Sequence, residues 1–319
     1  MGRPTSLRRN SSVLDYSPSL KGVFCPALTP FDDRLNPDIP LFIAHCHRLL
    51  KEGCHGLAMF GTTGEANSLS VDERMQLLDA AVESGIDASV IAPGTGCTAL
   101  TDSVRLTRHA VELGCSGVLM LPPFYYKDVS NDGLFRAFAE VIERVGDPRL
   151  KIYLYHIPPV SGVPLDLALV NRLADSYPDC VVGLKDSSGK WPYTETLLKT
   201  RPGFGAFSGS EIFLRQNLLA GGRGTITASA NVNAGAIRAA YDGFQGTEGE
   251  VLQASITRRR KIIQGYPMIP ALKSITAKIT GNKNWCQVRP PLQPLSSTAS
   301  DNLLQALIQD GFLLSPTES

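Results

Sequence analysis

From residue 22 to residue 242 short apolar runs alternate with longer amphipathic ones, a repeated pairing that few architectures can accommodate. Strands are expected at 23–27, 56–60, 88–92, 117–121, 152–156, 181–185, 205–208 and 224–227. Helical spacing follows near 38–52, 71–84, 101–113, 131–145, 165–175, 191–199, 211–220 and 231–242. Eight strands, each followed by a helix, is the pattern of a (β/α)8 TIM barrel, and 319 residues suit one such unit with additional C-terminal helices. A doubly wound α/β sheet is the competing fold. Its dinucleotide fingerprint requires the GxGxxG spacing, which the loop at Gly61-Thr62-Thr63-Gly64 lacks.

The organisation expected is a flexible N-terminal arm over 1–20, a catalytic barrel over 21–245, and a helical extension over 246–319 packed on the barrel. Two helix starts have local causes. Ser70 and Glu73 have capping-box spacing, and Asn36 before Pro37 pairs a cap with a residue that loses nothing by lacking an N–H. Residues 285–294 are Pro-rich and read as an irregular connection, and helical spacing returns over 301–312.

Lys plus Arg number 31 against 30 Asp plus Glu, so nothing in the charge balance suggests a nucleic-acid surface. No apolar run approaches the roughly 18 residues needed to cross a bilayer. The seven cysteines are odd in number and scattered, which favours reduced thiols and a cytoplasmic location. His45, His47, His55, His109 and His156 show no ligand spacing, so neither metal nor cofactor is expected.

Lys185 ends the expected strand 181–185. Strict alternation puts Val181, Gly183 and Lys185 on one face, toward a barrel axis, and Val182 and Leu184 on the other. An amine at the mouth of a barrel can attack a ketone, and the protonated imine then accepts electrons from a breaking C–C bond. A phosphate contact or a snorkelling side chain is the plainer use of such a lysine. One strand earlier, Tyr153 and Tyr155 share a face, and the Tyr155 phenol can pass protons if another hydroxyl partners it. The turn Gly61-Thr62-Thr63-Gly64-Glu65 forms a plausible carboxylate nest, with Thr62 as a relay to Tyr155 and Thr63 as a carboxylate donor. A turn with capping hydroxyls is the alternative, and Glu65 reads as a stabiliser of that turn.

Three separated motifs, Gly61-Thr62-Thr63-Gly64-Glu65, Tyr155-His156-Ile157-Pro158 and Gly183-Leu184-Lys185-Asp186, resemble the dihydrodipicolinate synthase/N-acetylneuraminate lyase family of pyruvate-dependent class I aldolases. Pro123-Phe124-Tyr125-Tyr126, Phe207-Ser208-Gly209-Ser210 and the stretch from Gly221 to Ile226 add to the likeness, which spans roughly 21–295. The resemblance implies a (β/α)8 barrel, Lys185 as the Schiff-base lysine and Tyr155 as the proton-transfer residue. It also implies a homotetramer built from dimers, in which Thr62 and a neighbouring subunit's counterpart of Tyr125 join the hydroxyl network. Thr62 and Thr63 would receive the pyruvate carboxylate, and Gly209 and Ile226 would line the pyruvyl pocket.

Two departures bear on substrate. Val160 stands where the lysine-biosynthetic synthases carry a carboxylate-binding Arg, and Val cannot make bidentate charged contacts. Asp186-Ser187-Ser188-Gly189 after the lysine looks closer to enzymes of 2-keto-3-deoxy sugar acids or 4-hydroxy-2-oxoglutarate. Ser187, Ser210 and Glu211 are candidates for distal substrate contacts or, equally, local caps. The expected activity is cleavage of a 4-hydroxy-2-oxo acid to pyruvate and an aldehyde. The alternatives are 4-hydroxy-tetrahydrodipicolinate synthase, a sugar-acid dehydratase, or a catalytically weak oxo-acid sensor.

Overall fold

A computed structural model describes residues 20–312. The expected N-terminal arm therefore lies almost wholly outside the described residues. Seven parallel strands form one sheet: β1 (Gly22–Cys25), β2 (Gly56–Leu57), β3 (Val118–Met120), β4 (Ile152–His156), β5 (Val181–Asp186), β6 (Gly205–Ser208) and β7 (Gly224–Ile226). Their order is β2-β1-β7-β6-β5-β4-β3, with β1 paired to both β2 and β7.

The third expected strand is replaced by irregular backbone. Residues Ala88–Val90 form a 3₁₀ turn, after which Ile91 bridges to Leu57 and Gly94 to Leu119. Ala92 N donates to Leu57 O at 2.8 Å and Gly94 N to Met59 O at 2.7 Å, while Thr95 N reaches Leu119 O at 2.9 Å. Pro93, between them, has no N–H and contributes only its carbonyl, which accepts from Leu119 N at 2.9 Å. The segment thus fills the gap between β2 and β3 and closes the (β/α)8 barrel without a regular ladder.

Around the sheet run α1 (Ile39–Lys51), α2 (Val71–Glu83), α3 (Leu100–Glu112), α4 (Asn131–Val145), a short α5 (Pro158–Ser161), α6 (Leu167–Ser176), α7 (Trp191–Thr200), α8 (Leu214–Leu219) and α9 (Ala230–Asp242). The capping box before α2 forms as its spacing predicts: Glu73 N donates to Ser70 Oγ at 3.2 Å and Ser70 N to Glu73 Oε2 at 2.8 Å. Helix α1 starts later than Asn36 and Pro37 suggest. Asp38 is its cap, accepting from Leu41 N at 3.1 Å, because Asn36 is held in a turn by Asp32.

Two layers of core result. Leu77, Phe138, Leu173, Leu184 and Leu197 belong to the layer between strands and helices. Inside the barrel, Phe24, Tyr153, Val182, Phe207 and Ile226 pack together. Val182 contradicts strict alternation along β5. Ile152 pairs with Val181 and Tyr153 with Gly183, so Val182 is the extra residue of a bulge. Gly183 makes this possible: a Cβ there would overlap the Tyr153 ring and the Gly205 carbonyl. Beyond the bulge the alternation resumes, with Leu184 packed in the outer layer.

Three further helices follow, α10 (Gly246–Ile263), α11 (Met268–Thr280) and α12 (Ser297–Gln309). They build a separate apolar cluster with Leu28, Val232 and Trp285, beside the loop that follows β1. No helix among the described residues is long and apolar enough to cross a membrane.

Candidate active site

Tyr155 and Lys185 are register partners on β4 and β5, each only 4% exposed. Parallel pairing on one face brings the two side chains together, and Lys185 Nζ sits 4.2 Å from the centroid of the Tyr155 ring. The Tyr155 hydroxyl lies 3.3 Å from Thr62 Oγ1. Three side chains from separate sequence motifs therefore meet at the C-terminal end of the barrel, where the loops of such folds assemble their chemistry.

Thr62 owes its place to a compact turn. Gly64 N donates to Gly61 O at 3.1 Å, Glu65 N to Thr62 O at 3.1 Å, and Thr29 Oγ1 to Gly64 O at 2.8 Å. Phe60 and Glu65, at either end, both adopt left-handed backbone with φ of 56°. Such conformations cost a non-glycine residue about 1–2 kcal/mol, so surrounding contacts must hold them. Glu65 is held by the C-terminal helices: its Oε1 lies 2.5 Å from Lys273 Nζ on α11, with both side chains fully buried, and its Oε2 accepts from Arg289 N at 2.9 Å. Lys273 also donates to Gln287 O at 2.6 Å and lies over the Phe31 ring. Burial pushes Lys273 down to about 8, against the opposing pull of Glu65. Arg289 further pairs with Glu73, the capping residue of α2, and holds that carboxyl below its usual range.

Next to the lysine, Asp186 is committed to structure. Its oxygens accept from Thr194 Oγ1 at 2.6 Å and Ser188 N at 2.8 Å. His156 points to the opposite face from Tyr155, accepting from Leu165 N at 3.1 Å and stacking on Tyr193 at 4.2 Å. Burial lowers its pKa, with Asp186 acting in the opposite direction.

A cavity of about 480 Å³ opens above these groups. Lys185, Tyr155, Thr62, Thr63, Gly209, Ile226, Ser187 and Ser210 all line it, as does Val160 at the rim. Gly209 is required by close approach. Its N–H donates to Asp186 O at 2.7 Å, and an added Cβ would sit 2.7 Å from that same oxygen and overlap the Ser187 hydroxyl.

Two expected residues are elsewhere. Glu211 is fully buried behind the cavity wall, where Thr227, Ser229 and Arg260 occupy its carboxylate, so it has no free face for a substrate. Tyr125 projects outward, 74% exposed, beside the equally exposed Tyr126. Three lining residues come from the C-terminal helices and their connection, Arg260, Gln264 and Met268, and had no motif to announce them.

The model of the dihydrodipicolinate synthetase family matches residues 19–310. The chain belongs to this family. A Chloroflexus aurantiacus relative described as an uncharacterized DapA-like lyase is 36% identical over 282 residues, 87% of this chain and 92% of that protein. The solved dihydrodipicolinate synthase of Agrobacterium tumefaciens superposes with a TM-score of 0.84 at 33% identity, over 91% of this chain and 99% of that one. YagE, a prophage protein of the same family from E. coli K12 solved with pyruvate, also gives 0.84, at 27% identity, covering 92% and 99%. A relative from Methanoculleus marisnigri, 31% identical over 303 residues, 91% of this chain and 99% of that protein, is described as a 4-hydroxy-tetrahydrodipicolinate synthase.

Proposed function

We propose that this protein is a pyruvate-dependent class I aldolase that cleaves a 4-hydroxy-2-oxo acid, of the size of a 2-keto-3-deoxy sugar acid or a shorter analogue. The observation that carries the reading is the buried Lys185 amine against Tyr155, whose hydroxyl meets Thr62 in the wall of one cavity. Lys185, in its neutral form, attacks the C2 carbonyl of the bound acid. Tyr155 moves protons as the carbinolamine loses water to give a protonated imine. Tyr155 then takes the proton of the C4 hydroxyl, the C3–C4 bond breaks, and its electron pair passes into the imine to leave an enamine and an aldehyde. Protonation at C3 and addition of water release pyruvate and the free amine. The C1 carboxylate rests in the turn at Thr62 and Thr63, where backbone N–H groups and hydroxyls converge.

Val160, 62% exposed on α5 at the cavity rim, deprives the 4-hydroxy-tetrahydrodipicolinate synthase alternative of a carboxylate contact from α5. An isopropyl group offers no hydrogen bond to a second carboxylate. The exposed Tyr125 suits a role completed by a second copy of the chain. Lys127, two residues on, ties this segment to α5 by donating to Ser161 O at 2.6 Å. The site reading thus includes an oligomer in which Tyr125 reaches a neighbour's cavity.

The test is borohydride reduction in the presence of pyruvate, followed by peptide mass mapping. A reduced pyruvyl adduct on Lys185, absent in Lys185→Arg, is the expected result. A folded protein that captures no 2-oxo acid would instead be a sensor or bystander. Product analysis with 2-keto-3-deoxy sugar acids separates cleavage to pyruvate from loss of water.

A further inference from the structure

Arg260 enters the cavity wall from α10, and its hydrogen bonding is one-sided. Nη1 donates to Glu211 Oε2 at 3.1 Å and to Thr227 Oγ1 at 3.0 Å. Nε is buried without a partner, and among the described residues Nη2 makes no hydrogen bond either. Nη2 is therefore the donor left accessible, and a carboxylate that meets it gains a charge-assisted hydrogen bond. Glu211 does not consume the arginine as a counter-ion alone, because the hydroxyls of Thr227 and Ser229 also donate to its carboxylate.

The cations lining this cavity are Lys185 and Arg260. In the aldolase reading, Lys185 is bonded to C2 and the C1 carboxylate lies at Thr62 and Thr63. Asp186 also borders the cavity, but its oxygens are already held by Thr194 and Ser188. We propose that Arg260 determines specificity by binding a second carboxylate on the aldehyde-derived half of the substrate, which makes that substrate a 4-hydroxy-2-oxo dicarboxylic acid. Glu211 and Thr227 are positioning residues that aim the guanidinium. This assignment rests on the aldolase reading and narrows it to substrates with an acid at each end. It also gives Val160 a physical context: the positive charge absent from the α5 loop is supplied from the opposite side, by the C-terminal extension.

The experiment runs the reaction in the condensation direction with saturating pyruvate and two acceptors, glyoxylate, which carries a carboxylate, and glyceraldehyde, which is neutral. The wild type is expected to show the higher kcat/KM with glyoxylate. Arg260→Gln should lower that value by about ten- to a hundred-fold, chiefly through KM, the worth of a charge-assisted hydrogen bond or two. With glyceraldehyde it should change by less than about three-fold, the scale of a lost neutral contact. Arg260→Lys keeps the charge but places its donors differently and should recover part of the loss. Borohydride capture of pyruvate on Lys185 should be the same in all three proteins. An equal fall with both acceptors, or a wild type that prefers glyceraldehyde, overturns the assignment and leaves the aldolase reading intact. Failure of the wild type to capture pyruvate removes the aldolase reading, and this assignment with it.

Discussion

Replacing Lys273 by Met isolates the contact that ties the C-terminal extension to the turn carrying Thr62 and Thr63. Met nearly matches the stem in volume, so the loss is the charge and its hydrogen bonds, not a cavity. Glu65 would keep one bond, from Arg289 N at 2.9 Å, and the nearby Arg289 charge, but no ion pair of its own. Removing one partner of such a pair costs about 3–5 kcal/mol, far more than the pair contributes against a neutral isostere. Lys273→Met is therefore expected to lose that much in reversible urea unfolding at pH 7. Lys273→Met with Glu65→Gln should lose at least about 2 kcal/mol less than the sum of the two single changes, because the orphaned charge is gone.

The same lysine makes a pH prediction with a definite sign. Its folded value, about 8, lies below the ordinary lysine value of 10.5, so between these limits the unfolded chain holds more protons. The wild-type stability contributed by Lys273 therefore rises with pH across that window, by at most about 1.4 kcal/mol per pH unit, and Lys273→Met lacks the rise. A single variant within about 1 kcal/mol of wild type, or strict additivity in the cycle, refutes the idea that this buried pair holds the turn.

Three other outcomes follow from the structure. Tyr155→Phe removes the hydroxyl 3.3 Å from Thr62 and should lower kcat for pyruvate release by about 10²–10⁴-fold while the fold persists; a fall in KM alone would contradict a proton-transfer role. Gly209→Ala forces a methyl against Asp186 O and the Ser187 hydroxyl, so a loss of about 1–3 kcal/mol and slower imine formation are expected, and wild-type behaviour in both assays would count against the packing described. His45 is locked neutral, its Nε2 bonded to Asn231 Oδ1 at 2.9 Å and its Nδ1 facing Arg48 at 3.0 Å, and burial takes it down to about 3. Its share of stability is complete above about pH 6.5 and lost as pH falls toward 3; urea midpoints from pH 7 to pH 4 should fall less steeply in His45→Gln.

What could be read from the sequence was what repeats or depends on near neighbours. Helices α1 to α4 have clean apolar spacing, and their limits emerge within a residue or two of expectation. Lys185 and Tyr155 are legible because each lies one residue from the end of its strand, inside a distinctive motif. The barrel's third position was not, because Pro93 breaks the ladder and leaves isolated bridges in place of a strand. The face of Val182 departs from strict alternation for a related reason: a bulge depends on whether a partner strand can accept an extra residue, here on the Tyr153 ring filling the space above Gly183. Arg260 lies in the run Arg258, Arg259, Arg260, and on a helix three consecutive side chains point roughly 100° apart. Nothing local distinguishes the one that reaches the cavity from the two that pair with Asp310.

Arg260 also bears on how the C-terminal end of the barrel is built. Glu65 follows the Thr62-Thr63 turn on one side of the cavity and Glu211 follows Gly209 and Ser210 on the other, and both acids are buried. Read within the barrel alone, each is a burial penalty of several kcal/mol without a cation to offset it. Both cations, Lys273 and Arg260, come from the helices after α9. The two pairs lie on elements more than forty residues apart in sequence, so neither forms before the extension has docked. A barrel truncated before α10 should thus retain the alternating pattern that defines its strands while losing the turn that holds Thr62 and the wall that holds Arg260. On this account the extension is part of the candidate site, and its charges are the ones that the barrel's own loops require.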